Sequence, residues 1–377
     1  MYKVFQLIRS IHLGGAEIVA FNLSESCKNV HPEDFEFVIV ELHQTNDVYS
    51  IEKKKELKSK NIRTISLGTK SKLVSLIIGP FILAYHILKE KPNIIHSHTD
   101  LPDLLLSNTI RLFKLLQLKL PRIIRTIHNT VLWPVHHKLG RYVETAFNND
   151  CIVGVSEGAL NAYDDLRLKN SLAISPYKRV IYNGCVVPQK KEHPFRIDKQ
   201  KINIAFCGRF ESQKGIDVLL ERIKAINYRF SDDFVFHLVG SGAFKNEAFK
   251  LSEENKNVHI YDPVPNIADK LYAFDYLIMP SRFEGLVLIS IEASFAKVPV
   301  IAAFAPGLSE TLALDWALQF KLEDEEALLS IFEKIASKSY DYESLQNQAY
   351  AFVSDKFSHS RMINAYSKLY LELLKND

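Results

Sequence analysis

The chain has 377 residues, 47% hydrophobic and 24% charged, which gives room for two ordinary domains and excludes a disordered or fibrous protein. Four scattered cysteines (Cys27, Cys151, Cys185, Cys207) lack Cys-x-x-Cys spacing, which argues against a zinc site and for reduced thiols in a cytoplasmic protein; the chain reads as starting without a secretory signal. The net charge of +3 hides an asymmetry: residues 1–191 hold 26 Lys+Arg against 17 Asp+Glu, a balance of +9, and residues 192–377 hold 21 against 27, a balance of −6. A basic first half suits an anionic partner, either a phosphate-bearing substrate or a membrane surface, and the absence of an aromatic-interleaved basic motif speaks against nucleic acid.

Short apolar runs at 4–8, 35–42, 63–66, 93–96, 123–127 and 150–155 read as buried strands, separated by helical stretches such as 16–28 and 101–116. Strands alternating with helices predict a parallel sheet covered on both faces. Gly14-Gly15-Ala16-Glu17 follows the first strand and opens the first helix, where glycines let backbone amides approach a ligand closely. The apolar stretch 73–88 is too short to span a bilayer and is expected to break at Gly79-Pro80. The stretch 104–120 mixes apolar residues with Arg111, Lys114 and Lys119; it reads as a domain helix with a solvated face or as a basic amphipathic helix on anionic lipid. His96 and His98 follow one strand and His128 another. Without a supporting acidic residue they do not suggest a metal site; they either donate to a ligand or satisfy buried carbonyls.

The apolar pattern lapses over 186–200, where Pro188, Pro194 and several charges intervene, and then restarts with strands at 202–207, 234–239, 258–261, 276–279 and 298–302. Two similar α/β units therefore follow one another. Gly208-Arg209-Phe210-Glu211-Ser212-Gln213-Lys214-Gly215 is not a P-loop, but it sets an Arg and a Lys at the carboxyl end of a strand, where open α/β sheets bind ligands. That pair suits a diphosphate, or is simply two surface cations. Val239-Gly240-Ser241-Gly242 ends the next strand in the same manner. After the strand stopped by Pro280, a helix is expected from near Gly285 or Leu286, with Glu284 just before it and Glu292 about two turns inside. Eight helical steps would separate the two glutamates by roughly 12 Å. That is too far for two acids gripping one glycosidic bond, so they suit separate polar groups on one elongated ligand, or a cap and a solvated helix residue.

Taken together, Gly14-Gly15-Ala16-Glu17, Tyr182-Asn183-Gly184, Gly208-Arg209-Phe210 with Lys214-Gly215, Val239-Gly240-Ser241-Gly242, Glu284-x7-Glu292 and Pro306-Gly307-Leu308-Ser309-Glu310 resemble glycosyltransferase family 4, retaining enzymes of the GT-B fold. The likeness runs end to end. It implies two Rossmann-like α/β/α domains facing across a cleft: 1–187 for the acceptor and 188–356 for the donor, with a last helix of about 357–377 packing back on the first. It further implies that Arg209 and Lys214 grip the donor diphosphate, that Glu292 holds the ribose and that Glu284, with the amides of Gly285, Leu286 and Val287, binds the transferred sugar. His128 is similar to the family histidine at the reaction centre, Gly15 passes close to the phosphates or the acceptor, and Gly208 and Gly240 approach the donor. Val287 departs from the usual glycine or proline, and 305–308 lacks the usual paired glycines. The implied activity moves a sugar from a nucleotide-sugar, a UDP-sugar first, to a glycan or lipid-linked acceptor of a bacterial surface polysaccharide. It needs no cofactor and no divalent metal, and takes place in the cytoplasm with possible peripheral contact at an anionic membrane surface. A nucleotide-sugar epimerase of the same shape and a non-catalytic sugar-binding protein are the competing readings.

Overall fold

The computed structural model describes residues 1–375 apart from 13, 31–32, 69–70, 134–136, 149 and 231–232. These residues form two units, Met1–Asn183 with Ser360–Asp377, and Gly184–His359. The division falls slightly before the 187/188 boundary expected from the lapse in apolar pattern. Cys185 is already tied to the end of the second unit, its amide bonded to the Phe357 carbonyl at 2.9 Å and its carbonyl to the His359 amide at 3.1 Å.

In the first unit, strands β1 (Tyr2–Ile8), β2 (Phe35–Glu41), β3 (Arg63–Ser66), β4 (Ile94–His98), β5 (Arg122–Ile127), β6 (Cys151–Gly154) and β7 (Lys178–Val180) alternate with helices. The helices are α1 (Gly15–Val30), α2 (Val48–Ser59), α3 (Lys72–Glu90), α4 (Asp100–Leu115), α5 (His137–Glu144) and α6 (Glu157–Lys169). The strands pair in parallel in the order β3-β2-β1-β4-β5-β6-β7. Helices on both faces bury the central strands: Val4 to Ile8 of β1 and all of β4 are buried, including the polar Gln6, His96, Ser97 and His98.

The second unit holds β8 (Ile202–Cys207), α7 (Ile216–Arg229), β9 (Phe234–Val239), α8 (Lys245–Glu254), β10 (Val258–Tyr261), β11 (Tyr276–Met279), α9 (Leu288–Phe295), β12 (Val300–Ala303), β13 (Gln319–Phe320), α10 (Glu325–Ala336) and α11 (Tyr342–Lys356). Its strand order, β10-β9-β8-β11-β12-β13, repeats the winding of the first sheet. Both are Rossmann-like, and in each the order reverses beside the first strand: between β1 and β4, and between β8 and β11. Ligands of such sheets sit at the carboxyl ends of those strands. The last helix, α12 (His359–Lys375), buries Met362, Ile363, Tyr366 and Tyr370 against β1, β2, β4 and β5 of the first unit.

Two expectations need correction. Helix α3 does not break at Gly79-Pro80 but runs through both. Gly79 lets α4 approach, since a Cβ there would lie 2.6 Å from Leu105 Cδ1, and Thr109 of α4 donates to the Pro80 carbonyl at 3.4 Å. Nevertheless, among the described residues no helix is long and apolar enough to cross a membrane. Helix α9 starts at Leu288, two or three residues later than expected, because Val287 is extended (φ −93°, ψ 100°).

A polar cluster around Arg125 lies inside the first unit. Arg125 of β5, 1% exposed, stacks over the Phe147 ring and binds Asp103 at 2.9 Å, Asp150 at 3.3 Å and Glu144, which also meets Arg167. Burial pushes the Asp103 and Asp150 carboxyls up despite the guanidinium between them.

Candidate active site

The loop after β8 and the loop after β11 meet at the reversal of the second sheet. Gly208 N–H donates to the Val239 carbonyl at 3.0 Å and Phe210 N–H to Ser241 at 2.9 Å, fastening the first loop to the end of β9. Gly240 is required for this approach: a Cβ on it would sit 1.9 Å from the Gly208 carbonyl oxygen. Gln213 joins the two loops, accepting from Arg209 at 3.0 Å and donating to the Phe283 carbonyl at 3.2 Å. Arg282 completes the fastening with a forked pair to Asp217 at 2.8 and 2.9 Å.

Lys214 and Glu284 meet on this frame. The Lys214 ammonium donates to Glu284 Oε1 at 2.6 Å, and the Ser281 hydroxyl donates to the same oxygen at 2.8 Å. Glu284 is buried, so its charge is held by these partners rather than by water. The chain behind it is fixed by the 305–308 loop: Glu284 N–H donates to the Pro306 carbonyl at 3.0 Å. Gly307 adopts φ +73°, and a Cβ there would fall 2.2 Å from the Glu284 carbonyl oxygen. Gly285 and Val287 are buried and Leu286 half-buried on the way into α9. The amides of Leu288 to Ser290 have no intrahelical acceptor and carry the positive end of the helix dipole.

Glu292 stands on α9 a little over one turn from its start. Among the described residues no hydrogen bond or ion pair reaches its carboxyl. Burial, then the charge of Asp269, pushes its pKa up to about 7. Its charge in turn helps raise the thiols of Cys207, at the end of β8, and Cys185, so the carboxyl lies beside the carboxyl end of β8. A half-buried carboxylate without a partner, next to a sheet reversal, is an acceptor awaiting hydroxyl donors.

The corresponding edge of the first sheet carries Gly15 and His128. Gly15 is exposed at the first residue of α1, with open space where a Cβ would stand. His128 follows β5 directly and ends a buried chain of polar groups. His128 Nε2 lies 3.1 Å from His98 Nδ1, and His98 Nε2 lies 2.7 Å from Gln6 Oε1. Gln6 Nε2 donates to the Tyr370 hydroxyl at 3.0 Å, which lies 2.8 Å from His96 Nδ1; His96 Nε2 is 2.6 Å from the Thr126 hydroxyl. His96 and His98 are therefore not free to donate to a ligand: two hydroxyls, the His128 imidazole and the buried side-chain carbonyl of Gln6 use all four of their nitrogens, so the buried-carbonyl reading holds for His98. Only His128 Nδ1 has no partner among the described residues. Burial lowers the pKa of His128 to about 3, so it is neutral at physiological pH. Thr99, just beyond His98, has φ +77° and ψ 169°, a conformation that β-branched residues avoid and that marks strain at a working edge. Among the described residues no cluster of three or more His, Cys, Asp or Glu is arranged to hold a metal.

Two Rossmann-like α/β units of this winding are the architecture of the GT-B fold. Residues 201–337 match the family model for glycosyl transferases group 1, and the protein is a glycosyltransferase. It is 29% identical over 376 residues to an uncharacterized 41.2 kDa protein in the cps region of Klebsiella pneumoniae, covering 95% of this chain and 96% of the other. It is 26% identical to the O-antigen biosynthesis glycosyltransferase WclY of Escherichia coli, over 75% of this chain and 80% of that one. Among solved structures it resembles Anabaena HepE in complex with UDP-glucose, with a TM-score of 0.78, 15% identity, and 99% and 100% of the two chains covered.

Proposed function

We propose that the protein is a retaining glycosyltransferase of family 4, transferring a sugar from a UDP-sugar to a glycan or lipid-linked acceptor during synthesis of a bacterial surface polysaccharide. The observation that carries the reading is the Lys214–Glu284 pair, 2.6 Å apart, held between Arg209 and the start of α9 within the matched domain. Relatives in a cps region and in O-antigen synthesis, and a structural neighbour holding UDP-glucose, support the acceptor and donor classes.

In this reading Arg209 and Lys214, with the leading amides of α9, stabilise the diphosphate as it leaves with growing negative charge. No divalent metal is required, since the side chains supply the positive charge. Glu284 accepts from hydroxyls of the transferred sugar and Glu292 from the ribose. His128 serves the sugar as a neutral hydrogen-bonding group. The bond from the anomeric carbon to the diphosphate breaks while the acceptor oxygen bonds to the same face of that carbon, and the acceptor's proton passes to a phosphate oxygen. Such a step needs no separate base. The reaction takes place on the cytoplasmic side, where the basic first unit can meet an anionic membrane.

A thermal-shift screen of UDP-, GDP- and ADP-sugars tests the donor; a ligand at a hundred times its Kd adds about 2.7 kcal/mol. Nuclear magnetic resonance of the product's anomeric configuration tests retention. Epimer formation without an acceptor, or inversion, would overturn the reading.

A further inference from the structure

Helix α3 turns an apolar face to solvent. Val74, Ile77, Ile78, Phe81, Tyr85 and Leu88 are all exposed, Ile77 by 62% and Phe81 by 64%. At 100° per residue these positions fall within about a third of the helix circumference and run about 21 Å along its axis. No Asp, Glu, Lys or Arg occurs from 73 to 88. A contiguous apolar stripe of this kind on a polar protein marks a contact surface. At its carboxyl end, Leu88 also lines a cavity of about 690 Å³ at the amino edge of β4 and β5. The walls of that cavity carry Lys91, Lys114, Lys119 and Arg122, against one lining carboxylate, Asp150, which Arg125 already binds. Lys89 stands beside the same end, its ammonium 5.4 Å over the Tyr85 ring.

We infer that this stripe and its cationic end form the surface by which the protein docks on an anionic phospholipid bilayer. The inference deepens the lipid-side acceptor reading given above and rests on it for its purpose. The apolar side chains enter the boundary of head groups and acyl chains, and the cations meet lipid phosphates beside them. A second copy packed stripe against stripe would bring the same cations of both chains together, so charge favours the bilayer. The surface differs from the one suggested by sequence over 104–120. Leu104, Leu105, Leu106, Ile110 and Phe113 of α4 are buried in the core, so that helix contributes cations and its exposed end, Leu115 and Leu116, rather than an apolar face.

The test is co-sedimentation of the full chain with phosphatidylcholine vesicles containing no or 30% phosphatidylglycerol, at low and physiological salt. The wild type should bind the anionic vesicles and weaken as salt rises. Ile77→Ser with Phe81→Ser should lower vesicle affinity by at least about tenfold, the scale of withholding large side chains from an apolar medium. Lys91→Glu with Lys119→Glu should lower it by about fivefold per cation lost. A Phe81→Trp variant should shift its fluorescence to shorter wavelength on adding anionic vesicles. Failure of the wild type to bind, a serine variant that binds as well as wild type, or a wild-type dimer that the serine variant converts to a monomer would each overturn the inference. UDP-induced thermal stabilisation of the same preparations separates the two ideas. Loss of docking with UDP stabilisation intact removes only the membrane surface. Docking without any nucleotide effect removes the donor reading instead.

Discussion

Replacing Glu292 with Gln should make the ligand-free protein more stable near neutral pH and weaken its hold on a UDP-sugar. Burial and the Asp269 charge raise this carboxyl from the ordinary value of 4.5 to about 7. Below pH 4.5 the group is protonated in both folded and unfolded chains, and the substitution is neutral in this respect. Between 4.5 and 7 the unfolded chain ionises while the folded one keeps its proton, so wild-type stability falls as pH rises. Above 7 the loss levels off, at roughly 3 kcal/mol. The glutamine variant escapes this loss. Donor binding runs the other way, since hydroxyl donors need the ionised carboxylate. With a pKa of about 7 the ionised fraction rises about tenfold from pH 6 to pH 8, and the affinity of wild type for UDP-glucose should rise by the same factor. A UDP-sugar is the right probe because its diphosphate has no proton to lose in this range. Calorimetric titration at pH 6, 7 and 8, beside thermal unfolding of the empty protein from pH 4.5 to 8, reads both effects. A glutamine variant with the wild type's pH dependence of binding, or one no more stable at pH 7.5, would refute the reasoning.

Three further outcomes follow from the geometry. Lys214→Ala should lower turnover by about a hundredfold or more, the scale of one lost donor to a developing anion, and near-normal turnover would count against its role. Gly307→Ala should lower the thermal midpoint and weaken UDP binding, because the new Cβ meets the Glu284 carbonyl and forces a strained residue to move; about 1–3 kcal/mol of stability is at stake in chemical denaturation. Arg125→Leu should destabilise the first unit by about 3–5 kcal/mol in the same assay, leaving three buried carboxylates without their shared cation.

The sheet rhythm was legible because parallel strands covered on both faces are written as continuous apolar runs; β7 and β13 escaped notice because edge strands of three and two residues carry no such run. The start of α9 was placed too early because Gly285-Leu286-Val287 is apolar whether extended or helical. In the site, Arg209, Lys214, Glu284 and Glu292 announced themselves by their places after strands. Gln213 and the Arg282–Asp217 fork did not, since the loop or residue they reach lies far along the chain and only folding brings them together. The same holds for His96 and His98, whose apparent availability disappears once Tyr370 and Gln6 are seen beside them. Pro80 misled for a related reason: a helix backed by a neighbour can tolerate a residue that an isolated one would not.

The buried chain from His128 to Tyr370 also orders events in time. Tyr366 and Tyr370 lie among the last dozen residues of the sequence, yet they complete the hydrogen bonding of Gln6, His96 and Thr126 beneath the edge that carries His128. Until α12 docks, those groups stay wet or unsatisfied, and the strands above them are not worth closing. A nascent chain halted before residue 366 thus already holds all seven strands of the first sheet but lacks the helix that satisfies the groups beneath its edge.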